Sequence, residues 1–353
     1  MIQADVMQAT NGIPSHDIAR RPWAMLALML AFSVTACTDN RGKSIPVTPP
    51  PIAKPEPPDP GPTQAELREA RAKRNREANQ AAARAVSDTI QSRRSYYSDI
   101  EDRLLSSGRL RQDRMPEDIP IDAETLARDF VQIALRDEYD SNGVQNPQGA
   151  EATSPLRKWE QPVSIRIAFG PSADVAVRRE IKGEVAAYAA RLAETSGHTV
   201  GTTEGNGNFT LLVLAEEERH NIGQYLRDLA PSIPGHDVTT LSRLSPDIYC
   251  TVFAYSQGNS YSYAHAVALI RAELPPLLRL SCIHEELAQG MGLANDSPTV
   301  RPSIFNDDEE FALLTRHDEL LLKILYDPRL HPGMTEEEAT PIVRTIAGEL
   351  LAN

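Results

Sequence analysis

Apolar and polar positions alternate through Val163 to Phe169, VSIRIAF, which predicts a strand buried on one face. Further strands are expected at the apolar runs Phe209 to Ala215, Ile248 to Tyr255 and Ala264 to Arg271. Elsewhere the period lengthens. Leu126, Phe130, Ile133 and Ala134 recur at helical spacing within Glu124 to Arg136, as do Val177, Ile181, Val185, Ala189 and Leu192 within Val175 to Thr195. A Gly- and Asn-rich loop, Tyr139 to Pro155, parts the first of these helices from the first strand, and SQGNSYSY, from Ser256 to Tyr263, reads as a tight turn. Together the segments predict an α+β domain over 115–335, with a helical tail over 336–353.

Composition divides the chain ahead of that domain. Residues 64–114 are rich in Ala, Arg, Glu and Gln, with Thr63 and Glu66 placed as a capping box, and predict a long charged helix. Its apolar stripe (Ala70, Ala78, Ala81, Val86, Ile90, Tyr97, Ile100, Leu104, Leu105) is thin. The expectation is a solvated spacer whose later half docks on the domain; a coiled coil is the alternative. Residues 38–63, with Pro49-Pro50-Pro51 and PEPPDPGP, cannot form a core and predict an extended linker. In residues 1–37, Arg20-Arg21 precede the apolar run Pro22 to Ala36, which ends in Val34-Thr35-Ala36-Cys37. This pattern predicts a lipoprotein signal peptide with Cys37 as the acylated residue. A lipid-anchored protein of the cell envelope follows, facing the periplasm, and Thr38 after the cysteine favours the outer membrane.

Two cysteines are left once Cys37 is set aside. In an oxidising compartment Cys250 and Cys282 are expected to form a disulfide tying a strand to the helix that follows. The alternative places Cys282 with His284 in a soft metal site or makes it a catalytic thiol.

The chemistry concentrates in Ser281 to Pro298, SCIHEELAQGMGLANDSP. A metzincin helix carries H-E-x-x-H-x-x-G-x-x-H, in which histidines bind zinc and the glutamate activates water. Read from His284, the second ligand position holds Ala288 and the glycine position Met291. Read from Glu285, the series is Glu285, Glu286, Gln289, Gly292 and Asn295, with Asp296 beside it. The second register keeps the glycine and puts Glu285, Gln289 and Gly292 within about 60° of one another on a helix. Pro302-Ser303-Ile304-Phe305-Asn306 then resembles a Met-turn in which Phe305 stands where the family has Met, and Leu314 to Met334 resembles the helix after it. On EELAQGMGLAND and PSIFND above all, residues 125–335 resemble the DUF2927 family of uncharacterised proteobacterial lipoproteins, and through it the metzincin-like peptidases. The resemblance implies a metzincin-like fold with a mixed sheet, a site helix, a Met-turn-like loop (Ser303, Ile304, Phe305, Asn306) and a C-terminal helix. An edge strand over the cleft that pairs with extended substrate belongs to the same analogy. It brings no activity with it, because the family has none established.

Function therefore rests on the residues. Glu286 is the candidate general base, or else a surface carboxylate. Glu285, Gln289, Asn295, Asp296 and His284 are candidate ligands of a divalent cation. Their mainly oxygen donors disfavour an ordinary zinc site and suit calcium better, with Asp307 also at hand. From Met115 onward 36 acidic residues face 19 basic ones, which argues against nucleic acid and anionic lipid as partners of the domain. No phosphate-binding glycine loop and no G-x-S-x-G elbow occurs. Two functions stay open: a binding or assembly module holding an envelope protein or peptidoglycan on a degenerate peptidase scaffold, or a metal-dependent hydrolase using Glu286.

Overall fold

The computed structural model describes residues 64–116, 118–136, 153–229, 233–258, 260–306 and 308–352. The expected signal peptide, Cys37 and the expected proline-rich linker lie outside them.

The chain folds in the order α1 (Gln64–Ser106), α2 (Ala123–Ala134), β1 (Val163–Phe169), α3 (Val175–Ser196), β2 (Val200–Thr203), β3 (Phe209–Leu214), α4 (Glu216–Arg219), α5 (Gly223–Leu229), α6 (Gly235–Ser242), β4 (Cys250–Ser256), β5 (Tyr263–Arg271), α7 (Pro276–Gln289), α8 (Arg316–Leu325) and α9 (Glu336–Ala352). The α+β expectation holds at this level: helices surround one five-stranded mixed sheet of order β2-β1-β3-β5-β4. Strands β1, β2, β3 and β5 are parallel, and β4 runs antiparallel to β5 at one edge. Central β3 is buried on both faces, which is why FTLLVL reads as an unbroken apolar run.

Each face of the sheet has its own core. Ile165, Leu211, Val213, Ala268 and Ile270 pack with side chains of α2, α3, α7 and α8, while Leu212, Leu214, Val267 and Leu269 pack with Leu226, Val238 and Leu241 of α5 and α6. The parallel connections demand helices, and the caps mark where these begin. Asp122 and Asp174 accept the amides of Thr125 and Val177, and Pro276 opens α7. The short elements β2, α4, α5 and α6 carry too few turns or alternations to stand out in the sequence.

One boundary differs from expectation. Helix α9 is part of the domain and not a tail: it packs on α2 and buries Ala339, Val343, Ile346 and Ala347 in the main core. Helix α1 docks through its later half. Tyr97 is fully buried and donates to the Pro246 carbonyl at 3.0 Å, Arg93 pairs with Glu216, and Glu101 accepts the Leu278 amide near the start of α7. Beyond α1, Leu110 and Arg111 donate backbone hydrogen bonds to the carbonyls of Glu309 and Glu310, so the chain straps the loop that follows the Met-turn-like segment.

Candidate functional site

Helix α7 lies against the sheet beside β4, and its sequence sorts onto two faces. Residues four apart sit about 40° from one another on a helix. Ser281, Glu285, Glu286 and Gln289 accordingly line one cleft, a cavity of about 200 Å³. Asp247 and Tyr249, just before β4, and Cys250 and Thr251 at its start form one wall; Asp296, Ile304, Asn306, Glu309 and Phe311 close the other side.

The chain reaches the second wall by a sharp turn after α7. Gly290 accommodates the Phe209 ring, which a Cβ would meet at 2.4 Å, and Gly292 has φ +122, with the Arg157 carbonyl 2.4 Å from where a Cβ would stand. Trp159 Nε1 donates to the Gly290 carbonyl at 2.8 Å and fixes this corner from beneath. Gln289 Nε2 then donates to Asp296 Oδ1 at 2.9 Å, so the amide at the end of the helix holds the carboxylate beyond the turn.

The loop under the cleft hangs on Asp318, in the first turn of α8. Its carboxylate accepts Ser303 Oγ at 2.6 Å, the Ile304 amide at 3.2 Å and the Thr315 amide at 2.8 Å. The Thr315 and Asp318 capping box thus starts α8 and pins the turn together. Phe305 is wholly buried and fills core, while Asn306 Nδ2 donates to the Val300 carbonyl at 3.1 Å and its side chain borders the cleft.

Of the residues singled out in the sequence, Glu285, Glu286, Gln289 and Asp296 come together in the cleft, joined by Ile304 and Asn306 of the turn. His284 does not. It points into the core, where Nδ1 accepts the Leu314 amide at 3.1 Å and the ring stacks on Tyr188 at 3.9 Å. Burial, with the nearby Arg191 guanidinium adding to it, lowers the imidazole to about 3, so it stays neutral at physiological pH. Its place as a metal ligand is corrected: 100° round the helix from Glu285, in the sense opposite to Glu286, it faces Tyr188 of α3 and not the cleft. Asn295 is likewise turned away, donating Nδ2 to the Gln132 carbonyl at 2.8 Å and its amide to the Ile133 carbonyl, which ties the loop to α2. Asp307 lies outside the described residues.

Cys250 and Cys282 are joined by a disulfide that links the start of β4 to α7, and Cys250 borders the cleft. Three titratable lining residues escaped the sequence: Asp247, Tyr249 and Glu309. The acid run from Asp307 to Glu310 was the only local hint, and the residue that turns inward is its third member. Tyr249 is pushed up to about 12, first by burial and then by the Glu309 carboxylate, so its hydroxyl keeps its proton.

The sequence profile of a protein family of unknown function, DUF2927, matches residues 123–345, more than half of the chain and every wall of the cleft. The chain belongs to the DUF2927 family. No curated protein matches it. The family match runs well into α9, in keeping with that helix being part of the domain.

The residues present do not fit the zinc centre that a metzincin-like ancestry would supply. The ligand positions of α7 hold Glu285 and Gln289, the nearby imidazole faces the core, and the sulfur on the cleft wall is bound in a disulfide. What the cleft offers is hard oxygen: five carboxylates, from Asp247, Glu285, Glu286, Asp296 and Glu309, with no Lys, Arg or His among its described lining residues. Such a site attracts cations, whether an ion or the charged end of a side chain.

Proposed function

We propose that the chain is a binding module of the cell envelope, anchored through Cys37, whose cleft holds an extended basic segment of a protein partner. The observation that carries this reading is the gathering of five carboxylates, from Asp247, Glu285, Glu286, Asp296 and Glu309, around one cleft. Peptidoglycan bears carboxylates of its own, and like charges brought together are costly, so the lining favours a protein over that polymer. Strand β4 supplies the second element of recognition. In the sheet it pairs with β5, and among the described residues no strand lies on its other side, while Cys250 and Thr251 at its start border the cleft. An added peptide strand would take main-chain hydrogen bonds from that edge and place a Lys or Arg side chain among the carboxylates.

We infer a metzincin-like descent alongside it. The glycine-terminated helix follows the sheet, the pinned turn lies under it, and an edge strand runs along the cleft, while the ligand positions have lost their histidines. Calorimetric titration with extended peptides carrying a single Lys or Arg tests the proposal. Binding that weakens roughly tenfold in Glu285→Gln or Asp296→Asn supports it, as loss of one desolvated charge pair is worth about 1.5 kcal/mol or more. Equal binding of an uncharged peptide would contradict it.

One observation favours a second reading, a hydrolase in which Glu286 is the base and a hard cation such as calcium is held by Glu285, Asp296 and Gln289. A carboxylate oxygen of Glu285 and one of Glu286 lie within 4.8 Å of each other. Elemental analysis of protein purified without chelators decides it: one equivalent of calcium, lost in Glu285→Ala, would favour the hydrolase.

A further inference from the structure

The disulfide and the acidic cleft share a corner. Cys250 Sγ lies within 4.8 Å of a carboxylate oxygen of Glu285 and of one from Glu286, and Cys282 Sγ is bonded to it. We propose that reduction of the Cys250–Cys282 bond converts this corner into a site for a thiophilic divalent cation, zinc being the best fit, with Cys250, Cys282, Glu285 and Glu286 as ligands. Disulfide and metal would then be alternative occupants of one place, and the site stands whether or not the cleft takes a peptide.

The chemistry balances with a dithiol as reductant. One of its thiolates attacks a sulfur of the pair, the S–S bond breaks, and the second reductant thiol resolves the mixed disulfide; the reductant leaves as its own disulfide and two thiols remain on the protein. Zinc then displaces both thiol protons to solvent and binds two thiolates. Ligands around a tetrahedral zinc stand roughly 3.4 to 3.8 Å apart, given Zn–S near 2.3 Å and Zn–O near 2.1 Å. The Cys250 sulfur and the two carboxylate oxygens already lie within 4.8 Å of one another, so each pair needs to close by no more than about 1.4 Å, while the two sulfurs need to part by less than about 2 Å. Two of the four ligands, Cys282 and Glu286, are four residues apart on α7, the spacing that puts two donors on one helix face, and Glu285 adjoins them. Cys250 comes from β4, so the metal would cross-link strand to helix as the disulfide does. Thiolate sulfur is the donor the cleft lacks when oxidised, which is why zinc fits only the reduced form.

The test uses the domain with its α1 helix, residues 64–353, reduced with a phosphine that does not chelate zinc, then titrated against a chromophoric zinc chelator. One equivalent of tightly held zinc is expected for the reduced protein and none for the oxidised protein or for the double variant Cys250→Ser, Cys282→Ser. Glu285→Gln or Glu286→Gln should weaken the reduced site by more than the roughly tenfold that loss of an outer hydrogen-bond partner costs. Equal zinc binding by the oxidised and reduced forms would overturn the proposal, and so would reduced binding that is indifferent to both carboxylates. Should reduction loosen the fold, circular dichroism melting supplies the second readout. Zinc must then raise the melting temperature of the reduced protein and leave the double variant unchanged; no rise in the reduced protein sinks the idea.

Discussion

At the scale of single residues, His284 sets a pH dependence of stability. Its folded-state value, lowered by burial to about 3, lies below the ordinary 6.5, so between those values the unfolded chain binds the extra proton. Stability from this group is present above about pH 6.5 and is lost as pH falls toward 3, with a slope of at most about 1.4 kcal/mol per pH unit. Denaturant titrations from pH 7 to 4 should show that slope in the native protein and a shallower one in His284→Gln, which keeps an acceptor for the Leu314 amide but cannot titrate. An unchanged slope would place the acid sensitivity elsewhere. Asp318 makes the sharper mechanical test. It is fully buried and holds the amides of Ile304 and Thr315 and the Ser303 hydroxyl, so Asp318→Ala strands several buried donors at once. A loss of about 3 kcal/mol or more in chemical denaturation is expected. The sequence put Glu285, Glu286, Gln289 and Asp296 in one place because helical spacing and one glycine fix them relative to each other. Asp247, Tyr249 and Glu309 could not be read, since they reach the cleft from loops whose path only the fold determines.

Among the elements, α1 and the disulfide carry the clearest consequences. Helix α1 has 43 residues and so runs about 64 Å, yet its described contacts with the domain begin near Arg93. Removing residues 64–86 should leave the melting temperature of the domain unchanged, whereas Tyr97→Ala, which empties a fully buried site and removes the hydrogen bond to Pro246, should cost about 3 kcal/mol. Equal effects of the two changes would mean that α1 is held along its whole length. The Cys250–Cys282 bond spans a sequence separation of 32, for which chain entropy gives about 3 to 4 kcal/mol; reductant without added metal should lower stability by that order. Strand β1 and helices α2 and α3 were readable from apolar periodicity because each buries one side, and β3, β4 and β5 from their apolar runs. Short β2 and α4 to α6 were not, and the docking of α9 on α2 was missed because nothing in its sequence says which surface it meets.

For the whole molecule, charge decides what can approach. The chain carries a net charge of −13, and the excess of acid sits in the domain, so a basic partner is drawn to it from beyond the cleft itself. Binding should weaken steeply with salt, roughly tenfold or more between about 0.05 and 0.5 M, because the Debye length shrinks to a few ångströms over that range. A partner held chiefly by apolar contact would show little change. Among the described residues no helix is long and apolar enough to cross a membrane. The most direct test of the central claim is amide hydrogen exchange of the domain with and without a saturating basic peptide. The account expects slower exchange confined to β4, Cys250–Ser256, and to the loop from Asp296 to Glu309 at the cleft. Peptide binding that leaves β4 unprotected, or that protects a surface away from the cleft, would contradict it.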